Sequence, residues 1–362
     1  MDLKEWLLKL GVENYYSLLN RQNLTLAKLR MIHSHDELKK LGINSFLVRK
    51  KILAGIEKLN HLNNTDNSQG WNQTEKRIIE NYPYLLAYPF YEMLTEKEPF
   101  LKLQLMKDLF LNILKYLGIL YLTEYLRSSR NSEEINILFR GKMLLPQFGN
   151  WNHLIQSIFT FLKQENHVFL IPELLESFSE LELGRGKKTR RYKIEIVFTD
   201  DFGDKRTVFQ QVSAISALIN FRNRYIGHNI TLKPEKSKKV FKIYYPILLD
   251  LLEKIGFCSD YNIKSYSDRT EINWTGIEPE TKINKDVSKQ RNVYLKSKQE
   301  ETVLPELFIQ MQEFNREKKL LLYDKIENNM IVYTSVKRDI IRIPLISIPK
   351  NELLDIGIDY DN

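Results

Sequence analysis

The chain's 362 residues are 43% hydrophobic, and 54 Lys plus Arg against 46 Asp plus Glu leave a net charge of +8 and a pI near 9.1. That length implies two or three globular domains, and the charge suits a polyanionic partner without demanding one. A single cysteine, Cys258, excludes intramolecular disulfides and any cysteine-based zinc site, so it reads as a small buried apolar residue in a reducing compartment. The start, Met1 to Trp6, lacks a basic segment followed by an apolar run, and the greasiest later stretch, Tyr116 to Thr123, is too short to span a bilayer. The expected location is the cytoplasm, with no membrane partner.

Residues 1–62 read as short amphipathic helices closing in a long one from Ser45 to about His61. Ser34 and Glu37 have the spacing of a capping box, with Leu38 and Leu41 following as the inward face. The run of Trp6-Leu7, Leu10-Gly11-Val12, Tyr15, Leu19, Leu24, Leu29, Asp36-Glu37-Leu38, Leu41-Gly42-Ile43, Arg49 to Leu53, Ile56 and Leu59 resembles the sterile alpha motif (SAM) domain. Leu47-Val48 stand where that family usually has a glycine before the arginine of the last helix. The resemblance implies a five-helix bundle that associates with a protein partner or with further copies of itself, and less often binds RNA hairpins. Eleven Lys or Arg against six Asp or Glu give the segment +5, which reads either as a solvated surface or as a nucleic-acid face.

Asn63 to Gly70 is polar and turn-rich, so residues 63–74 are expected to be a linker. From Glu75 to Cys258 helical periodicity returns, strongest over Phe100 to Arg127, the expected central helix of a bundle. Residues 131–150 read as a loop with Gly141, Pro146 and Gly149, and Trp151 to Gln164 as another helix. Tyr192 to Phe198 alternates apolar and polar, Thr199 to Asp204 supplies a turn and Arg206 to Phe209 returns, predicting a β-hairpin at about 190–210 inserted between helices. Immediately before it Arg185, Lys187, Lys188, Arg190, Arg191 and Lys193 place six cations in ten positions with Gly184 and Gly186. That stretch is either a phosphate-binding arm or a solvated loop.

A helix is expected from Gln210 to Asn229, and a second basic stretch, Lys233 to Lys242, leads into the last helix of the bundle. Residues 259–300 read as a loose linker. Residues 301–362 read as a small α+β tail, a short helix followed by three strands at Leu320–Tyr323, Met330–Tyr333 and Ile340–Pro344.

The helix ends in Phe221-Arg-Asn-Arg-Tyr-Ile-Gly-His-Asn229. Arg222 is a permanent cation that can fork onto a phosphate, and His228 is the side-chain type that exchanges protons near neutrality. Arg222-Asn223, four residues, then His228, with Phe221 before and Asn229 after, resembles the HEPN ribonuclease family. The resemblance implies a mainly α fold in which residues 75–258 form a larger bundle carrying the hairpin, and a homodimer whose paired motifs build one RNA-cleaving site. It needs no metal and no cofactor. His228 would transfer the proton, Arg222 would stabilise the charged transition state and Asn223 would orient them, while Arg224 would hold a flanking phosphate. A purely structural reading also stands, in which Arg222 and Arg224 complement the negative end of the helix dipole and His228 caps a carbonyl. No phosphate-cradling loop and no His-Glu-x-x-His helix is present, which disfavours nucleotide hydrolysis. The sequence therefore predicts a metal-independent ribonuclease of toxin or antiviral-defence type, clustered through its first domain. The alternative is a non-catalytic adaptor that oligomerises and binds RNA or nucleotide.

Overall fold

Helices α1 (Leu3–Lys9), α2 (Tyr16–Arg21), α3 (Leu26–Leu29), α4 (His35–Lys40) and α5 (Phe46–Asn64), with a 3-10 turn at Glu13–Tyr15, make up the amino-terminal bundle. Two Leu-Gly steps terminate its helices by the same mechanism. After α1, Gly11 at φ 62° lets its N–H reach Leu8 and that of Val12 reach Leu7; after α4, Gly42 at φ 86° does the same toward Lys39, and Ile43 toward Leu38. Both are Schellman caps, which need the left-handed backbone that glycine adopts without a Cβ penalty. The residues just past the caps, Val12 and Ile43, are buried with Trp6, Leu7, Leu19, Leu29, Leu38, Ile52 and Ile56 in one core. Ser34 and Glu37 form the expected capping box in both directions. Where the usual glycine is missing, Arg49 ties the α4–α5 connection by donating to the carbonyls of Ile43 at 2.8 Å and Asn44 at 2.7 Å.

The structure, a computed structural model, describes residues 3–22, 24–29, 32, 34–64, 70–176, 191–199, 205–226, 232–267, 270–283, 293–297, 300–314, 317–327 and 330–344. The chain divides into two units at Lys76/Arg77, within α6 (Gln73–Asn81). The expected linker is thus shorter at both ends, since α5 runs to Asn64 and α6 starts at Gln73; its residues 65–69 lie outside the described residues.

In the second unit α7 (Tyr84–Thr95), α10 (Phe148–Gln164) and α12 (Pro234–Lys254) pack along α8 (Pro99–Arg127), which is buried all round from Ile113 to Tyr125. The expected loop at 131–150 contains α9 (Glu133–Arg140), capped by Ser132 and burying Ile135, Leu138 and Phe139. At eight residues α9 is too short to show a sustained period in the sequence. The inserted hairpin is present as β1 (Tyr192–Thr199) antiparallel to β2 (Lys205–Val212), paired Tyr192 to Val212. Consequently the next helix starts later than expected, with α11 (Ala214–Phe221) capped by Ser213.

Residues 259–300, expected to be loose, are largely ordered into sheet. Strands β3 (Asn262–Ser267), β4 (Thr270–Asn273), β5 (Glu280–Ile283), β6 (Val293–Lys296) and β7 (Glu301–Val303) form an antiparallel sheet in the order β5-β4-β3-β6-β7. Among the described residues no helix follows Glu301; β7 occupies that place and β8 (Ile309–Phe314) succeeds it. The three expected strands are β9 (Glu317–Glu327), β10 (Met330–Ser335) and β11 (Ile340–Pro344), which with β8 make a second sheet ordered β11-β10-β9-β8. The rest of the tail, 345–362, lies outside the described residues.

Both sheets are fastened to the helices rather than trailing from them. Tyr84 N–H donates to Trp274 O at 2.9 Å, and Gly276 N–H to Tyr82 O at 2.8 Å, where a Cβ on Gly276 would stand 2.9 Å from Glu80 O. Tyr323 on β9 donates to Met143 O at 2.6 Å, and Phe308 and Tyr323 pack their rings on Trp151. Trp151 in turn lies against Gly118 of α8. Alanine at Gly118 would add helix propensity worth about 1 kcal/mol. Its Cβ, however, would sit 2.6 Å from Cε3 of a Trp151 that is 1% exposed. Overpacking wins, so Gly118→Ala is expected to destabilise the second unit by about 1–3 kcal/mol. Gly149→Ala, with nothing near its Cβ, is expected to leave stability unchanged or higher. Thermal melts of both variants check this, and an unshifted Gly118→Ala would refute the clash.

Lys115 of α8 is fully buried with its Nζ 3.2 Å from Asp324 of β9, and desolvation lowers its pKa against the opposing pull of that carboxylate. A lysine whose folded pKa lies below its unfolded value binds fewer protons when folded. It therefore penalises folding at neutral pH, and the penalty disappears as pH rises through that window toward 10.5. The stability advantage of Lys115→Met over wild type should accordingly shrink between pH 7 and about 10, measured by urea unfolding of both proteins. Parallel pH profiles for the two would contradict the assignment.

Candidate functional site

The end of α11 is built by a change of helical pitch. Ala214, Ile215, Ala217, Leu218 and Phe221 face the core, and at Arg222 the helix widens into a π turn spanning Arg222–Ile226. Such i→i+5 turns are rare and reorient the side chains they carry. Phe221 is wholly buried, with its ring 5.1 Å from Tyr244 of α12 and 6.4 Å from Tyr225; Tyr225 and Tyr244 meet edge to face at 5.9 Å. Burial, and then the neighbouring Tyr225, push the Tyr244 hydroxyl up to about 12, so it stays protonated and donates to Asn220 Oδ1 at 3.4 Å. This aromatic wedge anchors the turn from inside.

Arg222, Asn223 and Arg224, the described residues of the motif to which the sequence assigned a role, point to different duties. Arg222 is half-buried, its guanidinium 5.5 Å over the ring of Phe148 at the start of α10 and its Nη1 donating to Asn223 Oδ1 at 2.9 Å. Asn223 is exposed. Phe148 carries the cation on its π face while leaving guanidinium edges available, an arrangement suited to a phosphate. Arg224, expected to hold a flanking phosphate, points to the hairpin instead: its Nη1 reaches the carbonyl of Glu195 at 2.9 Å and the carboxylate of Glu195 at 3.0 Å. It is a strut between helix end and β1.

The hairpin is pinned a second time at its base, where Tyr192 donates to the Asp250 carboxylate of α12, itself paired with Lys254 at 3.0 Å. Arg191 is exposed just before β1, four residues from Glu195 and so about 13 Å along an extended strand from the Arg224 strut. Tyr192 pairs with Val212, so Arg191 stands near the start of α11, at the other end of that helix from Arg222. His228, Arg185, Lys187, Lys188 and Arg190 lie outside the described residues. Phe148, Glu195 and Tyr244 were not legible as site residues in the sequence, because each comes from an element remote in the chain. Only Tyr225, three residues from Arg222 on the same turn, carried a local signal. Elsewhere, Cys258 is buried beside Tyr116, and burial raises its thiol pKa.

The family model of the SAM domain (sterile alpha motif) matches residues 1–60. A SAM domain occupies this end of the chain. SAM domains often mediate protein–protein interaction or oligomerisation. Comparison with curated proteins and with solved structures finds no match. No helix among the described residues is long and apolar enough to cross a membrane.

The strut yields a test. Arg224→Gln removes both the charge pair and the geometry of the contact with Glu195, so hydrogen exchange in β1 and β2 should accelerate while α8 and α10 stay protected. Arg222→Gln, whose contacts among the described residues are with Phe148 and Asn223, should leave hairpin exchange as in wild type. Equal exchange in both variants would remove the strut from the account.

Proposed function

We propose that the chain is a metal-independent endoribonuclease whose active site is the Arg222-Asn223…His228 motif, clustered or recruited by its SAM domain. The observation that carries the reading is the Arg222 guanidinium laid on Phe148 and tethered to exposed Asn223, which holds a cation in a fixed place at the protein surface. The reaction is attack of an RNA 2′-hydroxyl on the adjacent phosphorus. The 2′-O–P bond forms, the P–O5′ bond breaks, the 2′ proton goes to a base and the leaving 5′ oxygen takes one from an acid. Products are a 2′,3′-cyclic phosphate and a 5′-hydroxyl.

One motif offers one imidazole, whereas in-line displacement calls for a base and an acid on opposite sides of phosphorus. A second copy of the chain supplies the other, so the site is composite and the working unit a homodimer or higher homo-oligomer. His228 exchanges the protons, Arg222 stabilises the developing negative charge and Asn223 fixes Arg222. The toxin or antiviral-defence setting in the cytoplasm follows the same reading. The commitment of Arg224 to Glu195 leaves one cation fewer for RNA and is what favours the alternative, a non-catalytic adaptor that assembles through its SAM domain and binds RNA or nucleotide.

The purified full chain, incubated with single-stranded RNA in EDTA, should produce cyclic-phosphate ends. His228→Ala should lower the rate by about 10²–10⁴-fold and Arg222→Ala by about 10²–10³-fold. An intact, folded protein that leaves every RNA uncut with and without divalent cations would establish the adaptor.

A further inference from the structure

The second basic stretch lies on α12, and the structure turns it into a surface with aromatic content. Lys233, Lys236, Lys238, Lys239 and Lys242 are exposed at the amino-terminal half of the helix, where Glu235 is the one acid. None of these lysines forms an ion pair among the described residues. Residues three and four apart share a helix face. Lys238, Phe241, Lys242 and Tyr245 therefore form one flank, about 10 Å long at 1.5 Å per residue. Phe241 and Tyr245 are half-buried and stack face to face, with centroids 5.0 Å apart and an interplanar angle of 14°. A further cation, Lys102 of α8, stands 5.2 Å from the Phe241 centroid. Tyr244, next to Tyr245 in the chain, is the residue that touches Phe221 and Tyr225 at the motif, so flank and motif share one turn of α12.

We infer that the Lys238–Tyr245 flank of α12 is a track for single-stranded RNA, with Lys238 and Lys242 on phosphates and a nucleobase extending the Phe241–Tyr245 stack. Uncompensated lysines supply the attraction common to all polyanions, and the aromatic pair adds what a duplex cannot use, since its base faces are already stacked. An anionic membrane would be drawn by the same charges, but the apolar side chains of the flank itself are two half-buried stacked rings, and exposed Ile243 beside it is a single residue, so vesicles are one arm of the test. The track shares the ligand of the function proposed above and is independent of its chemistry.

The test is fluorescence anisotropy of the full chain with a labelled 2′-O-methyl oligouridine 20-mer, which has no free 2′-hydroxyl and cannot be cut. Lys238→Gln with Lys242→Gln should flatten the dependence of log affinity on log salt by about 1.4, at about 0.7 per phosphate contact. Phe241→Leu with Tyr245→Leu, shown folded by circular dichroism, should weaken binding roughly 5-fold or more at fixed salt and leave the slope unchanged. Should the leucine pair unfold, the surface glutamine pair still decides the point. Wild-type affinity and slope in the glutamine pair would overturn the track, as would equal binding of double-stranded RNA or preferential binding to phosphatidylserine vesicles. Binding through the flank by a chain that never cuts RNA would sink the ribonuclease and keep the track. Cleavage with flank variants that bind normally would do the reverse.

Discussion

The contact between Gly118 and Trp151 is the constraint on which the second unit depends. A residue without a Cβ in the middle of α8 lets the indole lie directly on the helix backbone, which draws α10 against α8. Two consequences follow from the one approach. On its far side Trp151 offers its ring edge to Phe308 and Tyr323, so the carboxy-terminal sheet has an aromatic platform on the bundle. One turn earlier on the same face of α10 stands Phe148, whose ring underlies Arg222. The place of the motif cation is thus set by packing between helices that precede it by some 70 to 100 residues.

Around that cation the protein separates anchoring from exposure. Phe221, Tyr225 and Tyr244 fill the interior of the π turn, and Arg224 spends its charge on Glu195, so that the turn is braced from the core and from the hairpin. Arg222 and Asn223 are then held to each other at the surface with little freedom left to lose. Preorganisation of this kind is what a group must have to stabilise a transition state rather than merely attract a substrate. The hairpin gains a role from the same contacts: it is a brace for the helix end.

Legibility differed sharply between the two units. In the first, every device is local: the Ser34–Glu37 box and the Leu10-Gly11-Val12 and Leu41-Gly42-Ile43 steps act within one or two turns, so spacing alone revealed them. In the second, the long period of α8 and the alternation of β1 were plain. Strands β3 to β7 were hidden because β3, β4 and β6 bury only one or two apolar side chains each, such as Ile263, Ile272 and Leu295, among Lys, Glu, Asn and Ser, and β5 and β7 bury none. Polar composition of this sort reads as loop until a partner strand is known to pay for the backbone hydrogen bonds. The eight-residue α9 was lost for the opposite reason, its period being shorter than the window that would detect it.

What the sequence determined by itself is therefore the chemistry and the short-range geometry: a SAM-like bundle, a helix ending in Arg222-Asn223-Arg224, one hairpin before it, and lysines gathered at 233–242. Which arginine would remain outward and which would be consumed was decided by tertiary structure alone. Both sit on the same π turn and are chemically identical; only the arrival of Phe148 on one side and Glu195 on the other distinguishes them. The same holds for Phe241 and Tyr245, whose stack becomes part of a basic flank because α8 supplies Lys102 and the core takes Tyr244. Long-range neighbours set these outcomes, and no local spacing encodes them.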